Sequence, residues 1–183
     1  MINFDAGKLL IADPFLKDPN FLRTVVLLCE HNEAGDFGLV LNRLFEQTLD
    51  QLNTDFAGYK IPLYYGGPVE PNYIHFIHQY PALLPDGIEL TPNIFWGGNF
   101  ETLTQLIKTN SIDIEKIKVF IGYSGWDANQ LNEEIEEKTW LVANANDVIV
   151  FNTPENKIWQ NSIKLLGSKY EMLINFPIDP QLN

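Results

Sequence analysis

The run Arg23-Thr24-Val25-Val26-Leu27-Leu28-Cys29 constrains this chain more than any other stretch. A strand with one wet face alternates polar and apolar residues, and this run does not alternate. It therefore reads as a strand covered on both faces. Glu30 to Asp36, with Ala34-Gly35, reads as a hairpin-like loop, and Phe37 to Leu41 brings the chain back as a second strand. The pair is expected to be antiparallel. Covering both of its faces takes a sizeable core, and 183 residues in one domain (1–183) supply it.

Around that hairpin the pattern is mixed. Lys8 to Ala12 predicts a short buried strand closed by Asp13-Pro14, and Lys17-Asp18-Pro19-Asn20 is turn chemistry. Thr48 to Phe56 predicts a short helix. Tyr64-Tyr65 leads into a Gly66-Gly67-Pro68 turn, Tyr73 to His78 is a strand, and Ile88 to Trp96 is a strand or pair broken at Thr91-Pro92-Asn93. Asn99 caps a helix over Phe100 to Thr109, whose Leu103, Leu106 and Ile107 share one face. Lys118 to Tyr123 is a strand, followed by a tight Ser124-Gly125 turn and a helix capped by Asp127, with Gln130 as its capping-box partner. Trp140 to Ala143 and Val148 to Phe151 read as strands. Thr153-Pro154 opens a last helix with Ile158, Trp159, Ile163 and Leu166 as its core stripe and Gly167 at its end, and Asn175 to Asn183 should be extended. Strands and helices mix without regular alternation, which is an α+β pattern.

Charge narrows function. Twenty-four acidic residues face twelve basic ones, for a formal net charge of -12. Neutralising phosphates needs clustered Lys and Arg, so direct binding to nucleic acid or an anionic membrane is not expected. Met1-Ile2-Asn3-Phe4-Asp5 lacks the basic and apolar regions of a signal peptide, and no apolar stretch approaches a membrane span. A soluble, cytoplasmic protein is the expectation. Cys29 is a lone cysteine within the apolar run and reads as a buried thiol.

Several constellations invite chemistry. Ser124 at a strand-to-helix junction could act as a nucleophile with His31 or His78 as its base, although Gly122-Tyr123-Ser124-Gly125 lacks the G-x-S-x-G spacing. The alternative is that Ser124 and Asp127 satisfy free backbone N–H groups where the helix begins. His31, His75 and His78 could hold zinc, but His75 and His78 stand three apart on a strand and so face opposite sides. No metal or cofactor is assigned. Glu133-Glu134 and Glu136-Glu137 read as the solvated face of a helix. Gly66-Gly67-Pro68 and Trp96-Gly97-Gly98-Asn99 could admit an anion to backbone N–H groups, or could simply be tight turns; neither is a P-loop or dinucleotide fingerprint.

Taken together, these runs resemble the bacterial AlgH/YqgE family. The resemblance is carried by Leu10-Ile11-Ala12-Asp13-Pro14 with Asp18-Pro19-Asn20-Phe21, Arg23 to Val26 through Glu30-His31, and Gly38-Leu39-Val40-Leu41-Asn42-Arg43. It continues through Gly66-Gly67-Pro68-Val69 with His78, and Gly122-Tyr123-Ser124-Gly125-Trp126 with Gln130-Leu131, Glu134-Ile135 and Trp140. Leu44 stands where the family usually has Pro. The resemblance implies an α+β fold with a bent, bifurcated, mixed or antiparallel sheet forming a pseudo-barrel flanked by helices. It implies a link to transcriptional regulation and carries no established reaction. Two functions follow as expectations. The first is a non-enzymatic binding or regulatory module that acts through a protein partner or small ligand without touching DNA. Its contact candidates are Glu30, His31, Asn42, Arg43, Gly66, Gly67, His78, Ser124 and Gln130. The second is a small hydrolase or transferase using Ser124 with His31 or His78.

Overall fold

The computed structural model describes residues 5–177. The expectations for Met1 to Phe4, and for the tail beyond Pro177, lie outside them. Among the described residues ten strands form one sheet: β1 (Lys8–Ala12), β2 (Val25–Asn32), β3 (Gly35–Val40), β4 (Leu44–Thr48), β5 (Pro62–Tyr65), β6 (Val69–His78), β7 (Ile88–Thr91), β8 (Ile94–Trp96), β9 (Ile117–Asp127) and β10 (Trp140–Asn144). The helices are α1 (Leu49–Leu52), α2 (Phe100–Lys108), α3 (Gln130–Glu136), α4 (Asp147–Phe151) and α5 (Glu155–Leu165). The sheet runs β10-β1-β2-β3-β9-β6-β8-β7, with β4 and β5 off this path. It is curled into a half-barrel, and the fold is α+β.

The β2–β3 hairpin is covered on both faces. Val25, Leu27 and Cys29 of β2 join Leu9, Ile11 and Leu39 in one core with Ile158, Trp159 and Ile163 of α5. Val26 and Leu28 point the other way, into a second core with Leu131 and Ile135 of α3 and with Trp126 and Trp140. Each such side chain removed from water contributes about 1.5–3 kcal/mol, so the sheet is held from two sides. Trp159 adds a directional tie, its Nε1 donating to the Ala12 carbonyl at 2.8 Å. A third core lies further along the curl, where Leu103 and Ile107 of α2 cover Leu63, Phe76 and Val119.

Strand β9 is where the sheet forks. Its first half pairs in parallel with β5 (Leu63↔Val119 to Tyr65↔Ile121), while its second half pairs antiparallel with β3 (Gly38↔Ser124 to Gly35↔Asp127). Strand β6 runs along the opposite edge. At the fork, Gly66 donates to the Ile121 carbonyl at 2.9 Å, and the Gly66 carbonyl accepts from Val40 N–H at 2.9 Å. The backbones touch so closely that a Cβ on Gly66 would lie 2.3 Å from the Gly122 oxygen. A Cβ on Gly122, whose φ is +68, would lie 2.5 Å from the Gly67 oxygen.

The structure corrects several local expectations. Ser124-Gly125 is not a turn: β9 runs straight through to Asp127, because β3 supplies ladder partners for both residues. The N-cap of α3 is accordingly Asn129, in the left-handed region at φ 68, and not Asp127. Gln130 does reach back, its Oε1 accepting from Asp127 N–H at 3.0 Å. Val148 to Phe151 belongs to helix α4, where Asn146 caps by accepting from Ile149 N–H at 2.9 Å; local capping outweighs the β propensity of Val and Ile. The hairpin loop is tighter than expected, since β2 continues to Asn32 and pairs with Gly35. Leu44 starts β4, pairing with Tyr64, where a family proline would have restricted the chain. Asn53 divides the predicted Thr48–Phe56 helix into α1 and a 3-10 turn, Thr54–Phe56. Another 3-10 segment, Ser168–Asn175, precedes the tail and takes in its first residue, Asn175, for which the sequence predicts extended chain. Leu166 packs at the rim of the first core and Gly167, at φ 95, ends α5 as anticipated.

Candidate functional site

At the far end of the β2–β3 hairpin a cleft of about 400 Å³ opens against the second half of β9. Glu30, Asn32, Asp36, Tyr123, Trp126 and Asp127 are among its walls. The hairpin is stiffened from within: His31 Nδ1 pairs with the Asp36 carboxylate, Asn32 Oδ1 accepts from Ala34 N–H at 2.8 Å, and Asn32 Nδ2 donates to Glu30 Oε1 at 2.7 Å. Asp36 is almost fully buried, whereas Glu30 and Asp127 are exposed at the rim. Behind the rim, Phe37 stacks on Tyr123 at 4.6 Å between ring centroids and leans on Trp96 at 4.8 Å. His75 meets Phe37 edge-on at 5.0 Å, and burial lowers its pKa, with Glu70 partly opposing. The cleft is thus acidic at the rim, aromatic at one wall, and built on strands.

The remaining sequence candidates do not line that cleft. Asn42 is a clamp at the opposite end of the hairpin: its Oδ1 accepts from Val25 N–H at 3.0 Å and its Nδ2 donates to the Arg23 carbonyl at 2.9 Å. Arg43 donates to the Leu22 carbonyl at 3.3 Å beside it. Gly66 and Gly67 form the seam where β5 leaves β9. Ser124 is fully buried, and its hydroxyl donates to the Gly66 carbonyl at 3.0 Å. His78 is equally buried. Its Nδ1 accepts from Tyr80 N–H at 3.0 Å, which leaves Nε2–H to donate to the Gly97 carbonyl at 3.1 Å. Burial lowers the His78 pKa against the opposing pull of Gly97, so the ring is a neutral, satisfied core histidine. Neither Ser124 nor His78 is placed to do the acyl-transfer chemistry that their residue types suggested. His75 and His78 do face opposite sides, His75 against Phe37 and His78 against Phe95. Cys29 is buried, and burial pushes its thiol well above the usual range.

Glu134 departs from the solvated-face reading. Its Oε2 accepts from both indoles, Trp126 Nε1 at 2.8 Å and Trp140 Nε1 at 2.7 Å, and its Oε1 accepts from Gln130 at 2.8 Å. One helix carboxylate therefore ties the end of β9 to the start of β10.

A second cleft, of about 510 Å³, escaped the sequence reading. It lies where β5 and the first half of β9 meet the start of α5. Lys118 stands inside it with only 5% of its surface exposed, and its Nζ has no hydrogen-bond partner. The ammonium sits 4.2 Å above the Tyr64 ring and 3.9 Å from Glu155 Oε1, the same oxygen to which Tyr64 donates at 2.6 Å. Burial lowers the Lys118 pKa to about 8, with Glu155 opposing. Burial and the Glu155 contact push the Tyr64 phenol well up. Burial works against the Glu155 carboxylate, but the Tyr64 hydrogen bond and Lys118 outweigh it and hold the group low. The one signal in the sequence was a lysine inside the apolar run Ile117 to Ile121; Tyr64 and Glu155 meet it only through the fold.

Among the described residues no helix is long and apolar enough to cross a membrane, and no group of three or more His, Cys, Asp or Glu residues is placed to hold a metal.

A curled α+β half-barrel with a forked central strand defines a class of protein that comparison makes specific. The family model described as AlgH-like (DUF179) matches residues 9–171, and the chain belongs to that family. A UPF0301 protein of Cytophaga hutchinsonii is 38% identical over 178 residues, covering 97% of this chain and 98% of that one. A UPF0301 protein of Chlorobium limicola is 40% identical over 177 residues, covering 97% and 95%. Among solved structures, the AlgH protein of Pseudomonas aeruginosa matches with a TM-score of 0.73 at 28% identity, covering 93% of each chain. A Corynebacterium diphtheriae protein matches with a TM-score of 0.76 at 21% identity, covering 95% of this chain and 93% of that one, a likeness of fold.

Proposed function

We propose that this protein is a non-enzymatic binding module whose hairpin-end cleft takes a basic, arginine- or lysine-bearing segment of a protein partner. The observation that supports this best is the cleft itself, where rigid strands bring exposed Glu30 and Asp127 to a rim backed by Tyr123 and Trp126. Carboxylates attract the cation, and aromatic faces suit a guanidinium or ammonium stripped of some of its water. The net charge of -12 favours encounter with a basic partner and disfavours nucleic acid. Any effect on transcription would then run through that partner.

The test is a titration of the protein with a short Arg/Lys-rich peptide, followed by tryptophan fluorescence and by amide NMR shifts. Saturable binding is expected, with shifts centred on Glu30, Tyr123 and Asp127. The double variant Glu30→Lys/Asp127→Lys should weaken it roughly 10-fold or more, since each rim pair is worth up to about 1 kcal/mol. An acidic peptide binding equally well, or no effect of the double variant, would refute the reading.

A further inference from the structure

We propose that the cleft around Lys118 binds a small molecule carrying one carboxylate on an apolar body. Lysine is seldom fully buried without a partner, and an unpaired ammonium in a protein interior is costly. Here the amine is buried, and its three donors go unused in the wall of a cleft large enough for a small ligand. Glu155 does not supply the missing acceptor: at 3.9 Å its oxygen is beyond hydrogen-bond distance and already accepts from Tyr64. Tyr64 offers its ring face, which attracts a cation but accepts no ordinary hydrogen bond.

The walls select the rest of the ligand. Ile61, Ile117, Phe151 and Pro154 line the same cleft, giving an apolar bed for a short chain or ring. Lys60 is a second cation at its edge, offset by Glu115. Glu155 already balances part of the Lys118 charge from 3.9 Å without accepting a hydrogen bond from it, so the site has room for one further negative charge at most. A dianionic phosphate would bring a second charge close to the Glu155 carboxylate without a second buried donor. A carboxylate placed against Lys118 completes the polar satisfaction of the site. This site is separate from the hairpin-end cleft and stands or falls independently of it.

The experiment uses hexanoate as the probe, with hexylamine and hexanol as controls of the same chain length, and ¹³Cε-lysine NMR of the intact protein. Saturable movement of the Lys118 resonance by hexanoate is expected. Hexylamine and hexanol should bind at least tenfold more weakly. Lys118→Met keeps an unbranched side chain one atom shorter and removes the charge, and should lower hexanoate affinity at least tenfold while the protein keeps its fold. Should that variant fail to fold, the wild-type Lys118 resonance still decides the matter. The inference is overturned if that resonance does not move with hexanoate, if hexylamine binds as tightly, or if folded Lys118→Met binds hexanoate unchanged.

Discussion

Replacing Gly122 with alanine tests the account of the fork most directly. The φ of +68 is available to glycine at no steric cost, whereas an L-residue there loses about 1–2 kcal/mol. The new methyl carbon would also lie 2.5 Å from the Gly67 oxygen and 3.0 Å from the Val69 oxygen, both of them backbone atoms held in the sheet. Relief requires the β5–β6 connection to move off β9, and forced overpacking of this kind costs about 1–3 kcal/mol more. The total, about 2–5 kcal/mol, is a large share of the 5–15 kcal/mol typical of a folded domain. For a chain of this size it should lower Tm by roughly 4–20 °C. Denaturant unfolding gives the number directly. Gly58→Ala is the matched control: its φ is +89, and nothing lies within 4 Å of the added carbon, so it carries the backbone cost alone. If Gly122→Ala costs no more than Gly58→Ala, the tight contact at the fork is not what holds β5 and β3 on one edge.

Two further outcomes follow from polar groups described above. Glu134→Ala should destabilise the protein by about 2–4 kcal/mol, because two buried indole donors lose a charged acceptor; Glu134→Gln should recover part of that, and denaturant melts of both variants would show it. Stability should also rise with pH above about 8, the folded Lys118 pKa, because the unfolded lysine stays protonated up to 10.5 and binds more protons across that window. The gap between 10.5 and about 8 amounts to roughly 3 kcal/mol. Above pH 10 the trend should reverse, since the unfolded tyrosine ionises there while Tyr64 in the fold holds its proton. Unfolding measured from pH 7 to 11 should therefore pass through a maximum, and Lys118→Met should abolish the rising limb; a rise that survives in the variant would refute the assignment.

The sequence made the doubly buried hairpin legible because periodicity reports coverage directly: the unbroken run Val25 to Cys29 has no face to give to water, and none of it is exposed. It misled at Ser124-Gly125, since a Ser-Gly pair has turn propensity locally and only the long-range partner β3 keeps it extended. Val148 to Phe151 failed for the opposite reason, with the nearby Asn146 cap deciding what β-branched residues left open. Of the candidate site, Glu30 and its neighbours were found as a hairpin loop, but the wall formed by Tyr123 and Trp126 depends on β9 lying beside β3. The Lys118 cleft was the least visible. Tyr64, Lys118 and Glu155 are brought together by a parallel pairing and a helix start, and no local pattern encodes either.

The double burial of β2 also removes a safeguard that most strands possess. Where one face is wet, a slip of one residue throws apolar side chains into water and corrects itself. For Val25 to Leu28 a slipped strand would bury nearly the same surface on both sides, so hydrophobicity cannot tell the right alignment from its neighbour. The discrimination falls to a few polar contacts that fit only one alignment, above all Asn42, which holds Val25 N–H and the Arg23 carbonyl together. In this protein the greasy centre supplies the stability, and a single amide at its edge does the spelling.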